Sequence, residues 1–127
     1  METITEDYVS FETAKLLKEK GFDKNLQYYY DTDGILVRCC NGEYFSNKKS
    51  NSFIAPTLQM AMKWLVQEYR FYVNVAPSVE GYYWTDKWHS YVEMLNKRYP
   101  FGKFVGTFNS PEQASEEAIK YCLKNLI

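Results

Sequence analysis

Residues Pro56 to Tyr69 constrain the fold of this chain more than any other stretch. Their apolar side chains recur at helical spacing, but on two sides of the helix. At roughly 100° per residue, Leu58, Ala61, Met62, Leu65 and Tyr69 share one face, with Val66 at its edge. Met60 and Trp64 lie nearly opposite, four residues apart and within reach of each other. Covering such a side chain, rather than leaving it in water, is worth about 1.5–3 kcal/mol. Met60 and Trp64 therefore call for a cover. The candidates are the chain's own 78–108 segment, a partner surface, or a small molecule in a groove. Pro56 suits the first turn of this helix.

Two further helices are punctuated at both ends. Ser10 is an N-cap, Val9 before it can staple to Ala14, and Gly21 can take the left-handed stop position. Phe11, Ala14 and Leu17 make the buried stripe, while Lys15, Lys18, Glu19 and Lys20 face water. At the other end of the chain Ser110 caps, Pro111 fits the first helical position and Gln113 completes a capping box. Acidic residues cluster early in that helix and lysines late, matching the helix dipole. Its inner face is Ala114, Ala118, Ile119, Cys122 and Leu126, and the alanines let it lie close to a sheet.

Strand-forming runs fill the gaps. Residues 26–30 and 35–40 flank Asp33-Gly34, a hairpin turn signal. Asn41-Gly42 precedes a short third run, Glu43-Tyr44-Phe45, and residues 46–52 form a polar loop. Residues 71–77 predict a strand, and residues 82–88 its antiparallel partner across a loop holding Pro77 and Gly81. Residues 88–99 fit two periods: Trp88, Tyr91, Val92, Leu95 and Tyr99 suit a helix or an extended strand. The expected fold class is α+β: one antiparallel sheet of about four strands with three helices on one side, in the order α-β-β-α-β-β-α. At 127 residues the expectation is a single domain spanning 1–127.

Composition narrows the function classes. The 15 basic and 16 acidic residues leave a net charge of −1, with no overall excess for neutralising phosphates. No run approaches the ~20 apolar residues of a membrane span, and the acidic start Met1 to Asp7 does not read as a signal peptide. Cys39, Cys40 and Cys122 make a poor disulfide framework, which points to a reducing cytoplasm. Twelve tyrosines raise aromatic content to 18%, a composition that suits strands and contact surfaces alike.

The segments Ala55 to Leu65, Ser110 to Ile127 and Glu12 to Phe22 resemble those of small uncharacterised proteins of Bacteroides-type gut bacteria and their phages and mobile elements. The likeness covers the three helices, about a third of the chain. It implies an accessory cytoplasmic protein of a bacterium or phage and carries over no catalytic residues.

Candidate chemistry is sparse. His89, with Asp86 three residues before it, suggests acid–base or metal work, though a lone histidine among aromatics is more often a packing residue. Cys39 and Cys40 sit on a strand and point to opposite faces. No zinc-ligand spacing occurs, so no metal or cofactor is expected. Asp31-Thr32-Asp33-Gly34 matches the start of a calcium loop, but the later ligands are missing and a turn explains it. No phosphate loop or nucleophile elbow is present. The leading expectation is a noncatalytic macromolecule-binding protein, with a protein partner or a second copy docking on Met60, Trp64, Trp84 and Trp88. The first alternative is nucleic-acid binding through Lys97, Arg98, Tyr99 and Lys103, where rings interleave with cations. The second is a small enzyme using His89 or a cysteine.

Overall fold

The computed structural model describes residues 7–39, 52–95 and 102–127. The chain is α+β, in the order α1 (Phe11–Glu19), β1 (Tyr28–Tyr30), β2 (Leu36–Arg38), β3 (Phe53–Ile54), α2 (Leu58–Tyr69), β4 (Phe71–Glu80), β5 (Tyr83–Met94), β6 (Gly102–Phe108) and α3 (Pro111–Tyr121). A single turn of π-helix, Cys122–Leu126, continues α3. The contacts group into two compact units, Met1–Ala61 and Met62–Ile127, and the division falls within α2.

In the first unit α1 begins as its punctuation requires. Ser10 Oγ accepts the Thr13 N–H at 3.2 Å, and both staple residues, Val9 and Ala14, are fully buried. The sheet order is β2-β1-β3, all antiparallel. The β1–β2 turn is five residues rather than a two-residue Asp-Gly loop, because Tyr30 pairs with Leu36. The Asp31 carboxylate organises it by accepting the N–H groups of Asp33 (2.9 Å) and Ile35 (3.0 Å), a side-chain mimic of a backbone turn. Tyr30 Oη donates to the Val9 carbonyl at 2.6 Å, tying the sheet to the segment before α1.

In the second unit β4, β5 and β6 form an antiparallel meander, and α3 packs against all three strands. Ser110 Oγ accepts the Gln113 N–H at 3.1 Å, and Gln113 Oε1 accepts the Asn109 N–H at 3.2 Å. The returning bond thus reaches one residue beyond the cap itself. Ala114, Ser115, Ala118 and Ile119 are buried on α3, as are Phe71, Val73, Ser90 and Val92 on the strands.

These strands correct the expected layout. Among the described residues there are two three-stranded sheets rather than one of about four, and the order is α-β-β-β-α-β-β-β-α. The segment after Trp88 is strand as far as Met94. Its inward positions include a serine, Ser90, so hydrophobicity alone does not alternate cleanly and a helical period fits by accident. The expected runs at 41–45 and 46–51 lie outside the described residues. Among the described residues, the third strand of the first unit is Phe53–Ile54. In α2, Trp64 is 6% exposed and Met60 is 40% exposed. The two residues of the second stripe therefore meet different fates: Trp64 joins Leu58, Ala61 and Leu65 in the buried set, with Tyr69 edge-on at 5.4 Å.

Candidate functional site: the distal half of the β4–β5 hairpin

The longest strands among the described residues, β4 and β5, are joined by the two-residue turn Gly81-Tyr82, since Glu80 pairs with Tyr83. Gly81 takes φ +64°, which a two-residue hairpin turn of the favoured kind requires. Below the turn the ladder is irregular. Val79 pairs with Trp84 and Pro77 with Trp88, so Thr85, Asp86 and Lys87 all lie opposite Ser78. The excess is absorbed by Asp86 at φ +62°, and Thr85 Oγ1 donates to the Ser78 carbonyl at 3.0 Å. Such a bulge bends the strand and re-aims its side chains. Here it brings the Trp84 and Trp88 rings together edge-on, centroids 5.9 Å apart. Lys87 Nζ donates to Asn109 Oδ1, holding the bulge to the residue just before the α3 cap.

The sheet is longer than the helix that covers it. Twelve residues of β5 extend about 40 Å, whereas eleven residues of α3 extend about 16 Å. Ser90 and Val92 on the inner face of β5 are fully buried. Further out on the same face Trp88 is half-buried, and Trp84 is 56% exposed beside Val79 at 59%. At the tip Tyr82 is fully exposed and Tyr83 is 79% exposed. Trp84 and Trp88 were legible in the sequence; Val79, Tyr82 and Tyr83 were not. The signal was there: strand formers on both sides of Gly81 mark a tight hairpin that carries its apolar residues outward to the turn.

The opposite face of this sheet carries a ring cluster. His89, Tyr91 and Phe104 have centroid separations of 6.2 Å (His89–Tyr91), 5.5 Å (His89–Phe104) and 5.2 Å (Tyr91–Phe104). His89 Nδ1 is hydrogen-bonded to Thr107 Oγ1 at 3.1 Å. The sequence neighbour Asp86 is spent on the bulge. Lys103 pairs with Val92 and Phe104 with Tyr91, so this cation and this ring point to opposite faces. Lys97, Arg98 and Tyr99 lie outside the described residues.

In the first unit Met60 borders an open groove of about 260 Å³, together with Tyr8, Leu26, Gln27, Tyr28 and Thr57. The Tyr8 and Tyr28 rings pack 4.6 Å apart, tilted by 38°. Cys39 is half-buried, and its N–H donates to the Gln27 carbonyl at 2.6 Å. Cys40 lies outside the described residues. Cys122 is fully buried, and burial pushes its thiol up to about 12, partly offset by a backbone hydrogen bond. It is a core residue held as the neutral thiol, not a nucleophile. Among the described residues no three His, Cys, Asp or Glu side chains gather as a metal site, and no helix is long and apolar enough to cross a membrane. Comparison with protein-family models, with curated proteins and with solved structures returns no match.

Proposed function

We propose that the protein is a noncatalytic binding module that engages another macromolecule through the distal half of the β4–β5 hairpin. One observation carries this reading: Val79, Tyr82, Tyr83 and Trp84, contiguous at the hairpin end, are all more than half exposed. Enclosing a Trp or Val side chain gains about 1.5–3 kcal/mol, and tryptophan and tyrosine are the residues most enriched at contact centres. The Trp84–Trp88 contact and the bulge hold the indoles in place before binding, which lowers the entropy cost of association. The divergence of Lys103 and Phe104 favours this reading over nucleic-acid binding. Trp64, being buried, drops out of the docking set, and Met60 belongs to the groove of the first unit. The resemblance of the helices adds a setting, the cytoplasm of a gut bacterium or its phage.

The test is photo-cross-linking. A photoreactive phenylalanine analogue replaces Trp84 in the producing cell, and Tyr72, on the opposite face of the sheet, serves as control. A discrete adduct at position 84 and none at 72 is expected. No adduct at position 84 ends the reading.

A further inference from the structure

We propose that the partner covering this face is the same face of a second copy of the chain, giving a two-fold dimer joined at the distal hairpins. The inference rests on the binding reading above and names its partner.

Area is the first argument. An aromatic side chain presents about 150–250 Å². With the exposures of Val79, Tyr82 and Trp84, each copy offers roughly 300–480 Å², or about 600–950 Å² for the pair. That stays just under the ~1,000 Å² of a stable specific interface, so the contact is a transient one. It is what a weak, concentration-dependent dimer buries.

Charge is the second argument. A two-fold contact sets one surface against itself, so any single-sign charge on it repels its own copy. The inner-face positions Pro77, Val79, Trp84 and Trp88 carry none. The charges of the hairpin end lie off these positions: Lys87 is turned to Asn109, Glu80 pairs with Tyr83, and Asp86 is in the bulge.

Shape is the third argument. Two sheet faces pack about 10 Å apart with side chains interdigitating. Val79 and Trp84 are cross-strand neighbours, one small and one large. A two-fold axis between two such faces sets each indole opposite the other copy's Val79, ring into gap.

Sedimentation velocity and light scattering from about 5 to about 500 µM test this. The mass is expected to rise from one 15.0 kDa chain to two. Trp84→Ser and Val79→Asp are each expected to weaken association by about tenfold or more, and Tyr72→Ser to leave it unchanged, with folding of each variant checked by thermal melting. A mass of one chain at every concentration overturns the dimer, as does a mass beyond two chains. Equal loss in Tyr72→Ser overturns the assignment to this face. The cross-linking separates the two proposals: an adduct with a different protein, from a chain that stays monomeric, sinks the dimer and keeps the binding module. Absence of both adduct and dimer sinks both.

Discussion

At the scale of single residues, the second unit hides two groups whose behaviour departs from what their chemistry suggests. Ser90 Oγ is fully buried beside α3 and has no hydrogen-bond partner among the described residues. A buried hydroxyl without a partner costs about 1–3 kcal/mol in lost hydration. Ser90→Ala is therefore expected to hold or raise stability, by up to about 1–2 kcal/mol, measured by urea denaturation. Ser90→Leu is expected to lose about 1–3 kcal/mol, because a helix rich in alanine leaves no room above it. Cys122 makes the second case. Its thiol is raised from an ordinary 9.0 to about 12 by burial. The folded state therefore keeps its proton where the unfolded chain has released it. Its contribution is fully present below pH 9 and falls by about 1.4 kcal/mol per pH unit from there towards 12. The measurement is a difference between wild type and variant, so that only the thiol's part is read. In the wild type stability should fall more steeply above pH 9 than in Cys122→Ala. In a protein with Cys39→Ser and Cys40→Ser, a thiol reagent at neutral pH should label nothing until the chain unfolds. Rapid labelling of the folded form would place Cys122 at a surface.

At the scale of elements, the decisive piece is a hairpin longer than its helix. The irregular ladder at Ser78 is its working part, because a regular strand would hold Trp84 and Trp88 well over 10 Å apart along one face. Asp86 makes the bulge by adopting φ +62°, a conformation that a β-branched residue resists. Asp86→Val is expected to cost about 1–2 kcal/mol and to change the near-ultraviolet circular dichroism of the paired indoles. Asp86→Gly should preserve that signal. If Asp86→Val leaves both unchanged, the bulge does not position the tryptophans. Much of the element plan could be read beforehand. The caps at Ser10 and Ser110 and the proline at 111 are local chemistry, and local chemistry is written in adjacent residues. Pro56 is a correction: the helix starts at Leu58, with Thr57 Oγ1 accepting the Met60 N–H at 3.2 Å, so the proline precedes the helix rather than entering its first turn. The strand after Trp88 was not legible for the opposite reason. Its identity depends on Ser90 being buried beneath α3, a fact about packing between distant parts of the chain. Tyr82 and Tyr83 were read as the start of a strand but not as an exposed tip, because Gly81 reads as loop until the strands beside it are known to pair to the last residue.

At the scale of the whole molecule, charge separates the partner classes that the sequence left open. Fifteen basic residues against sixteen acidic ones provide no general field for a polyanion. A nucleic-acid reading would have to rest on a local patch that combined cations with exposed rings. Where the structure describes that region, the combination comes apart, with Lys103 across from buried Val92 and Phe104 with Tyr91 on the other face. The hairpin end, in contrast, gathers apolar rings with no charge among its inner-face positions. The two readings respond to salt in opposite ways. Phosphate contacts release counterions, so affinity falls by about 10³–10⁵ between 50 and 200 mM salt for a protein making several of them. Apolar docking holds or strengthens as salt rises. Titrating a labelled single-stranded oligonucleotide into the protein at both salt concentrations should therefore show no steep salt-dependent binding, while the association of the hairpin faces persists across the same range. Tight oligonucleotide binding at low salt, lost at high salt and in Lys103→Ala, would move the functional surface to the β5–β6 side of the sheet and leave the exposed tryptophan without a role.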